Sequence, residues 1–124
     1  MNNDLAYIAG FWEGEGYVGI YNHKADSRHK KDRKRLEVGI VNTNREVLEW
    51  IKEKFDSGYI GIKTGKKRNP RWKIVYAWIV RDGNAMKFLK MIYPYLKFRE
   101  EKVKSLIMGS LPPFLNKENY GERK

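Results

Sequence analysis

Nine consecutive residues, Ile8-Ala9-Gly10-Phe11-Trp12-Glu13-Gly14-Glu15-Gly16, constrain this chain more than any other stretch. An apolar helical run passes directly into two glutamates interleaved with glycines. Ala6, Gly10 and Gly14 recur at four-residue spacing, so on a helix they form one smooth stripe. Side chains this small let a second helix approach closely. The glutamates are misplaced by ordinary rules, because a helix C-terminus carries partial negative charge and disfavours acids. Glu13 and Glu15 at that end require a compensating cation. The chain has 26 Lys and Arg against 15 Asp and Glu, a net charge of +11. A divalent metal facing nucleic-acid phosphate satisfies both the acids and the basic excess.

The length of 124 residues suits one domain with a real core. A hydrophobic content of 41% excludes a disordered tail as the whole protein. The basic excess favours a polyanionic partner, nucleic acid before membrane. There is no cysteine, which excludes disulfides and thiolate metal sites and suits an intracellular chain. No apolar run is long enough to span a bilayer. The N-terminus carries Asp4 and no basic run, so it does not read as a signal peptide.

Periodicity orders the rest. Asn2, Asn3 or Asp4 caps a helix over Leu5–Trp12, which Gly14 and Gly16 end. From Tyr17 the period becomes two, with Val18 and Ile20 on one face and Tyr17, Gly19, Tyr21 and His23 on the other. A polar loop over 24–35 precedes a second strand, with Leu36, Val38 and Ile40 facing one way and Arg35, Glu37 and Gly39 the other. Thr43 and Glu46 are spaced as a capping box. The helix they open carries Val47, Leu48, Ile51 and Phe55 on one stripe and ends at Asp56–Gly58. Tyr59–Lys63 reads as a third strand and Thr64–Pro70 as a turn. Trp72–Val80 reads as a fourth strand, apolar on both faces and therefore ambiguous in orientation. Asp82 caps a helix to Tyr93, which Pro94 stops. A last helix spans Leu96–Met108. The domain occupies residues 1–110, and 111–124 form a C-terminal tail.

The order helix, strand, strand, helix, strand, strand, helix, helix predicts an α+β fold, with an antiparallel four-stranded sheet and helices on one face. The other face is polar, aromatic and basic, and suits a DNA groove. By strand parity, Tyr17, Tyr21, His23, Arg35, Glu37, Tyr59, Lys63, Tyr76 and Trp78 are candidates for that face. Lys24, Arg28, Lys30 and Arg33 in the first hairpin loop, and Lys66, Lys67, Arg68 and Arg71 in the second, are candidate phosphate contacts.

Gly14-Glu15-Gly16-Tyr17-Val18-Gly19 fits G-x-G-x-x-G, but a dinucleotide site needs a strand before it and a helix after it. Here the order is reversed. The segment Ile8–Gly16 instead resembles the signature of the LAGLIDADG homing endonucleases. It aligns without a gap, Ala9, Gly10 and Gly16 are identical to the name motif, and Glu13 and Glu15 replace its two aspartates. The element order over about Asp4–Met108 is similar to the family's αββαββα core.

The resemblance implies that Glu15, at the motif's last acid, is the catalytic metal ligand. Glu13 and the Gly14 carbonyl are further candidates, and Mg²⁺ or another divalent cation such as Mn²⁺ is the expected cofactor. It also implies polar and basic groups near the scissile phosphate, for which Asn42, Lys97 and Arg99 are the candidates. A single motif copy implies a C2 homodimer packed through Ala6, Gly10 and Gly14. The activity implied is a double-strand break at a long, near-palindromic DNA target by an intron-encoded enzyme. The alternatives are an intron RNA maturase and a DNA-binding protein of the same fold that does not cleave.

Overall fold

The computed structural model describes residues 3–63, 71 and 73–109. Helix α1 (Asn3–Glu15) leads into strand β1 (Gly16–His23) and strand β2 (Arg33–Asn42). Helix α2 (Arg45–Phe55) and strands β3 (Tyr59–Ile62) and β4 (Tyr76–Arg81) follow. Helix α3 (Asp82–Ile92), a 3-10 turn at Tyr93–Tyr95 and helix α4 (Glu100–Ile107) complete the described chain. The strands form one antiparallel sheet in the order β1-β2-β4-β3. Helices α1, α2 and α3 pack on one side of it. This is the α+β architecture expected from the element order. The second turn, with Lys66, Lys67 and Arg68, Trp72 and the tail from 111 lie outside the described residues.

Alternation builds the core. Leu36, Val38 and Ile40 of β2 point towards the helices and are fully buried. They meet Ile8 and Trp12 of α1, Leu48 and Ile51 of α2, and Phe88, Leu89 and Ile92 of α3. Phe88 sits edge-on to three rings, Trp12, Phe55 and Trp78. Aromatic contacts of this kind add to the gain from area burial.

Four local boundaries differ from expectation, each for a visible reason. Gly14 does not end α1, which runs to Glu15, and the sharp stop falls at Gly16. A Cβ on Gly16 would lie 2.1 Å from the Trp12 ring and 2.8 Å from the Gly39 carbonyl, so only glycine fits between helix and strand. The cap of α2 is Asn44, not Thr43, and its side chain accepts the Val47 N–H. Asp82 does not cap α3. It takes a left-handed backbone, φ 53°, and turns its carboxylate to the Leu36 N–H and to Arg35. The last helix starts at Glu100 rather than Leu96, because the N–H groups of Lys97, Phe98 and Arg99 point at the Glu13 carboxylate.

Candidate active site and nucleic-acid interface

The C-terminal end of α1 brings together the first cluster. The last carbonyls of any helix lack intrahelical partners, and the final turn of α1 holds no basic residue. Glu13 is neutralised from elsewhere. Its Oε2 accepts the N–H groups of Lys97 at 2.9 Å and Arg99 at 2.8 Å, and also that of Phe98. Partial burial works against ionisation of Glu13, but these three donors and the Arg99 charge outweigh it and hold the carboxyl below its usual range. Glu13 was expected among the metal ligands. Both of its oxygens instead accept backbone N–H groups of the 97–99 turn and so hold that turn.

Arg99 completes the junction. Its Nη1 donates to the Gly16 carbonyl at 2.9 Å, and its guanidinium lies 4.8 Å from the centre of the Trp12 ring. It therefore binds the first residue of β1 to the turn before α4. Lys97 is exposed and lines the same surface groove as Glu13 and Gly14.

Glu15 is exposed at the end of α1, and among the described residues its carboxylate has no hydrogen-bond or ion-pair partner. This carboxylate, beside the exposed terminal carbonyl of Gly14, is a hard-oxygen donor set suited to Mg²⁺. No group of three or more His, Cys, Asp or Glu that could hold a metal occurs among the described residues. Asn42 follows by two residues Ile40, which pairs with Gly16 of the motif. Its Oδ1 accepts the Asn44 N–H at 2.7 Å and serves the turn into α2, and no hydrogen bond joins it to α1.

Ala6, Gly10 and Gly14 are exposed and line a groove with Pro94, Tyr95 and Phe98. A Cβ added at Gly10 or Gly14 would meet nothing within 4 Å. Among the described residues, no contact explains why these two positions lack side chains.

The sheet face away from the helices carries the second cluster. Tyr17, Tyr21 and His23 of β1, Arg35 and Glu37 of β2, and Tyr59 of β3 all lie on it, as parity predicted, and Arg33, expected in the loop, joins them as the first residue of β2. Lys63 joins them, with its ammonium 5.7 Å from the centre of the Tyr17 ring. Tyr17 covers Gly39, where a Cβ would come within 2.5 Å of the ring. Lys24, Arg28 and Lys30 are exposed in the first hairpin loop, which Asp26 and Asp32 organise by accepting backbone N–H groups. Arg71 is exposed beyond β3.

Tyr76 and Trp78 are corrections. The register pairs Trp78 with Ile40 and Tyr76 with Asn42, so both face the helices. Trp78 is fully buried, and its indole N–H donates to the Ser57 carbonyl at 3.0 Å. β4 is apolar on both sides, so its own pattern could not set this parity. The same register reveals a residue that sequence reasoning missed. Arg81 pairs with Glu37 and lies on the outer face with Ile79 and Ala77. Only the pairing with β2 places it there, so no signal in β4 alone could have found it.

Arg81 and Glu37 anchor a network. Arg81 Nε donates to Glu37 Oε1 at 2.8 Å, and Tyr17 donates to Glu37 Oε2 at 2.6 Å. Burial opposes ionisation of Glu37, but the Tyr17 and Arg81 hydrogen bonds and the Arg81 charge prevail and lower its pKa. Burial and the nearby Glu37 raise that of Tyr17. Partial desolvation and the charges of Arg81, Arg35 and Arg33 lower that of His23.

Solved structures share this fold. The homing endonuclease I-CvuI in complex with DNA gives a TM-score of 0.64 at 17% identity, covering 85% of this chain and 64% of that one. The group I intron-encoded homing endonuclease I-CeuI complexed with DNA gives 0.68 at 16% identity, covering 98% and 59%. The archaeal intron-encoded homing endonuclease I-Vdi141I complexed with DNA gives 0.59 at 26% identity, covering 86% and 70%. The chain thus spans less than two thirds of the I-CvuI and I-CeuI chains. No curated protein sequence matches. The family model described as LAGLIDADG endonuclease matches residues 8–108, from the motif in α1 to the end of α4. On that match, the chain belongs to the LAGLIDADG endonuclease family.

Proposed function

We propose that this chain is a homodimeric, divalent-metal-dependent DNA endonuclease, intron-encoded, that breaks both strands of a long, near-palindromic site. The observation that carries this reading is Glu15, an exposed carboxylate without a partner among the described residues, at a helix C-terminus that lacks a basic residue. An ion held by Glu15 and the Gly14 carbonyl supplies, when bound, an activated water and positive charge for the phosphate undergoing transfer. Glu13 fixes the 97–99 turn beside it. Arg99 and Lys97 add positive charge where the phosphate accumulates negative charge, and Arg99 cannot act as a base because it keeps its proton. Asn42 is a secondary candidate, because its oxygen already serves a turn. Mg²⁺ fits this donor set best, with Mn²⁺ as a substitute. Structures of I-CvuI were obtained with the I-CreI target in Mg, the DNA uncleaved, and with its own target in Ca, and the presence of divalent cations in both agrees with a site of this kind.

Pairing through Ala6, Gly10 and Gly14 brings two copies of Glu15 together over the centre of the duplex. The two outer sheet faces then form one surface along DNA, with the loop lysines and arginines on phosphates. Residues 1–110 form the endonuclease domain. Among the described residues no helix is long and apolar enough to cross a membrane, and the enzyme acts inside the cell wherever its target DNA lies. The test is incubation of purified protein with a randomised duplex library in Mg²⁺ and in EDTA. Metal-dependent cuts at one long, near-symmetric site are the expected result. Binding without cleavage under every divalent metal overturns the nuclease reading.

A further inference from the structure

We propose that Arg81 is a base-reading residue, selecting a guanine in each half-site, and that Glu37 and Tyr59 hold it in its reading pose before DNA arrives. The inference rests on the DNA-binding reading above and names one determinant of its specificity.

The geometry is that of a clamped guanidinium. Arg81 Nε donates to Glu37 Oε1 at 2.8 Å, and its Nη2 donates to the Tyr59 hydroxyl at 3.0 Å. The group also lies 5.4 Å from the centre of the Tyr59 ring. Glu37 is fixed in turn by the Tyr17 hydroxyl at 2.6 Å. The side chains of Arg81 and Glu37 are only 24% and 13% exposed. Glu37, expected to touch DNA itself, is thus mostly covered and acts through Arg81.

An arginine has five N–H donors, and the clamp uses two of them. The remaining donors lie on the outer face of the sheet, in the row Gly19–Glu37–Arg81. Glycine at 19 makes room for the Tyr21 ring, whose hydroxyl a Cβ there would meet at 2.6 Å. An arginine fork matches the O6 and N7 acceptors of guanine in the major groove, which is the commonest specific contact of this residue. A long side chain fixed in advance loses less freedom on binding, so more of the contact reaches the affinity difference between bases. Arg35 is tied differently, by Asp82 at the start of α3 at 2.6 Å, and Lys24 and Lys30 are exposed in the first hairpin loop.

The test is selection from a randomised duplex library by full-length wild type, Arg81→Ala, Arg81→Lys, Glu37→Gln and Tyr59→Phe, with thermal melts of each protein. The wild type is expected to enrich guanine at one position of each half-site. Arg81→Lys keeps the charge but loses the fork, and should reduce that preference about tenfold while other positions stay unchanged. Glu37→Gln should weaken the same preference and strengthen non-specific binding, because it removes a negative charge from the DNA-facing surface. A purely structural role for Glu37 would not move these two quantities in opposite directions. Unchanged guanine preference in a folded Arg81→Ala or Arg81→Lys overturns the inference while leaving the DNA-binding reading intact. Uniform weakening across all sequences with a shallower salt dependence also overturns it, because that is the signature of a phosphate contact. A wild type that selects no sequence overturns both.

Discussion

Glu13 accepts the backbone N–H of Arg99 at 2.8 Å, although 86 residues separate them, while the Arg99 side chain reaches forward to the Gly16 carbonyl. The two residues close a ring around the end of α1. Each satisfies what the other's segment leaves open: the N–H groups of a turn on one side, a terminal carbonyl on the other. The motif's first acid is therefore engaged within the fold, while its second, Glu15, stays exposed.

Glu13→Ala should destabilise the fold by about 1–2 kcal/mol, since several N–H groups lose a charged acceptor but can partly turn to water. Urea unfolding at neutral pH measures this. The folded-state carboxyl is held below its ordinary value, so its stabilising contribution is present above the unfolded pKa of about 4.3 and fades as pH falls through the folded value. The stability difference between wild type and Glu13→Gln should shrink below about pH 4 for that reason. A difference independent of pH would contradict the assignment.

Glu15→Gln should reduce cleavage by more than about 100-fold, the upper range for losing a merely supporting metal partner. DNA affinity measured in Ca²⁺ should change little, because phosphate contacts dominate binding. Cleavage at the wild-type rate would remove Glu15 from the metal site.

Gly10 tests the interface. A Cβ there meets nothing inside the chain, and replacing glycine within a helix by alanine gains about 0.5–1 kcal/mol. Gly10→Leu should therefore leave the protomer folded while preventing close approach of two α1 helices. Sedimentation should show monomers for Gly10→Leu where the wild type is dimeric.

His23 is held neutral more strongly in the folded protein than in an unfolded chain by desolvation and by Arg81, Arg35 and Arg33. A lowered folded pKa means stability is lost as pH falls from the unfolded value of about 6.5 towards the folded one. Phosphate beside His23 would restore its proton, so DNA affinity should rise as pH falls below about 6.5. His23→Asn should flatten that slope in fluorescence-anisotropy titrations from pH 8 to 5.

Phe88→Ala should cost about 3–5 kcal/mol, because a fully packed ring leaves a cavity among Trp12, Phe55 and Trp78. Thermal denaturation in the absence of DNA reads this directly.

The sequence by itself determined the element order, the faces of β1 and β2, and the position of the acids at the end of α1. These are local properties, written in periods of two and three to four and in one nine-residue motif. The outer-face positions Tyr17, Tyr21, His23, Arg35 and Glu37 follow from alternation alone. Tertiary structure decided what alternation leaves open. β4 is apolar on both sides, so only its pairing with β2 turned Trp78 inward and Arg81 outward. Glu13 and Glu15 look equivalent in the chain, and only the arrival of the 97–99 turn separates them. Asp82 reads as a helix cap, but the neighbouring Arg35 and the Leu36 N–H draw its carboxylate away. In each case the deciding partner lies tens of residues distant, where no local pattern records it.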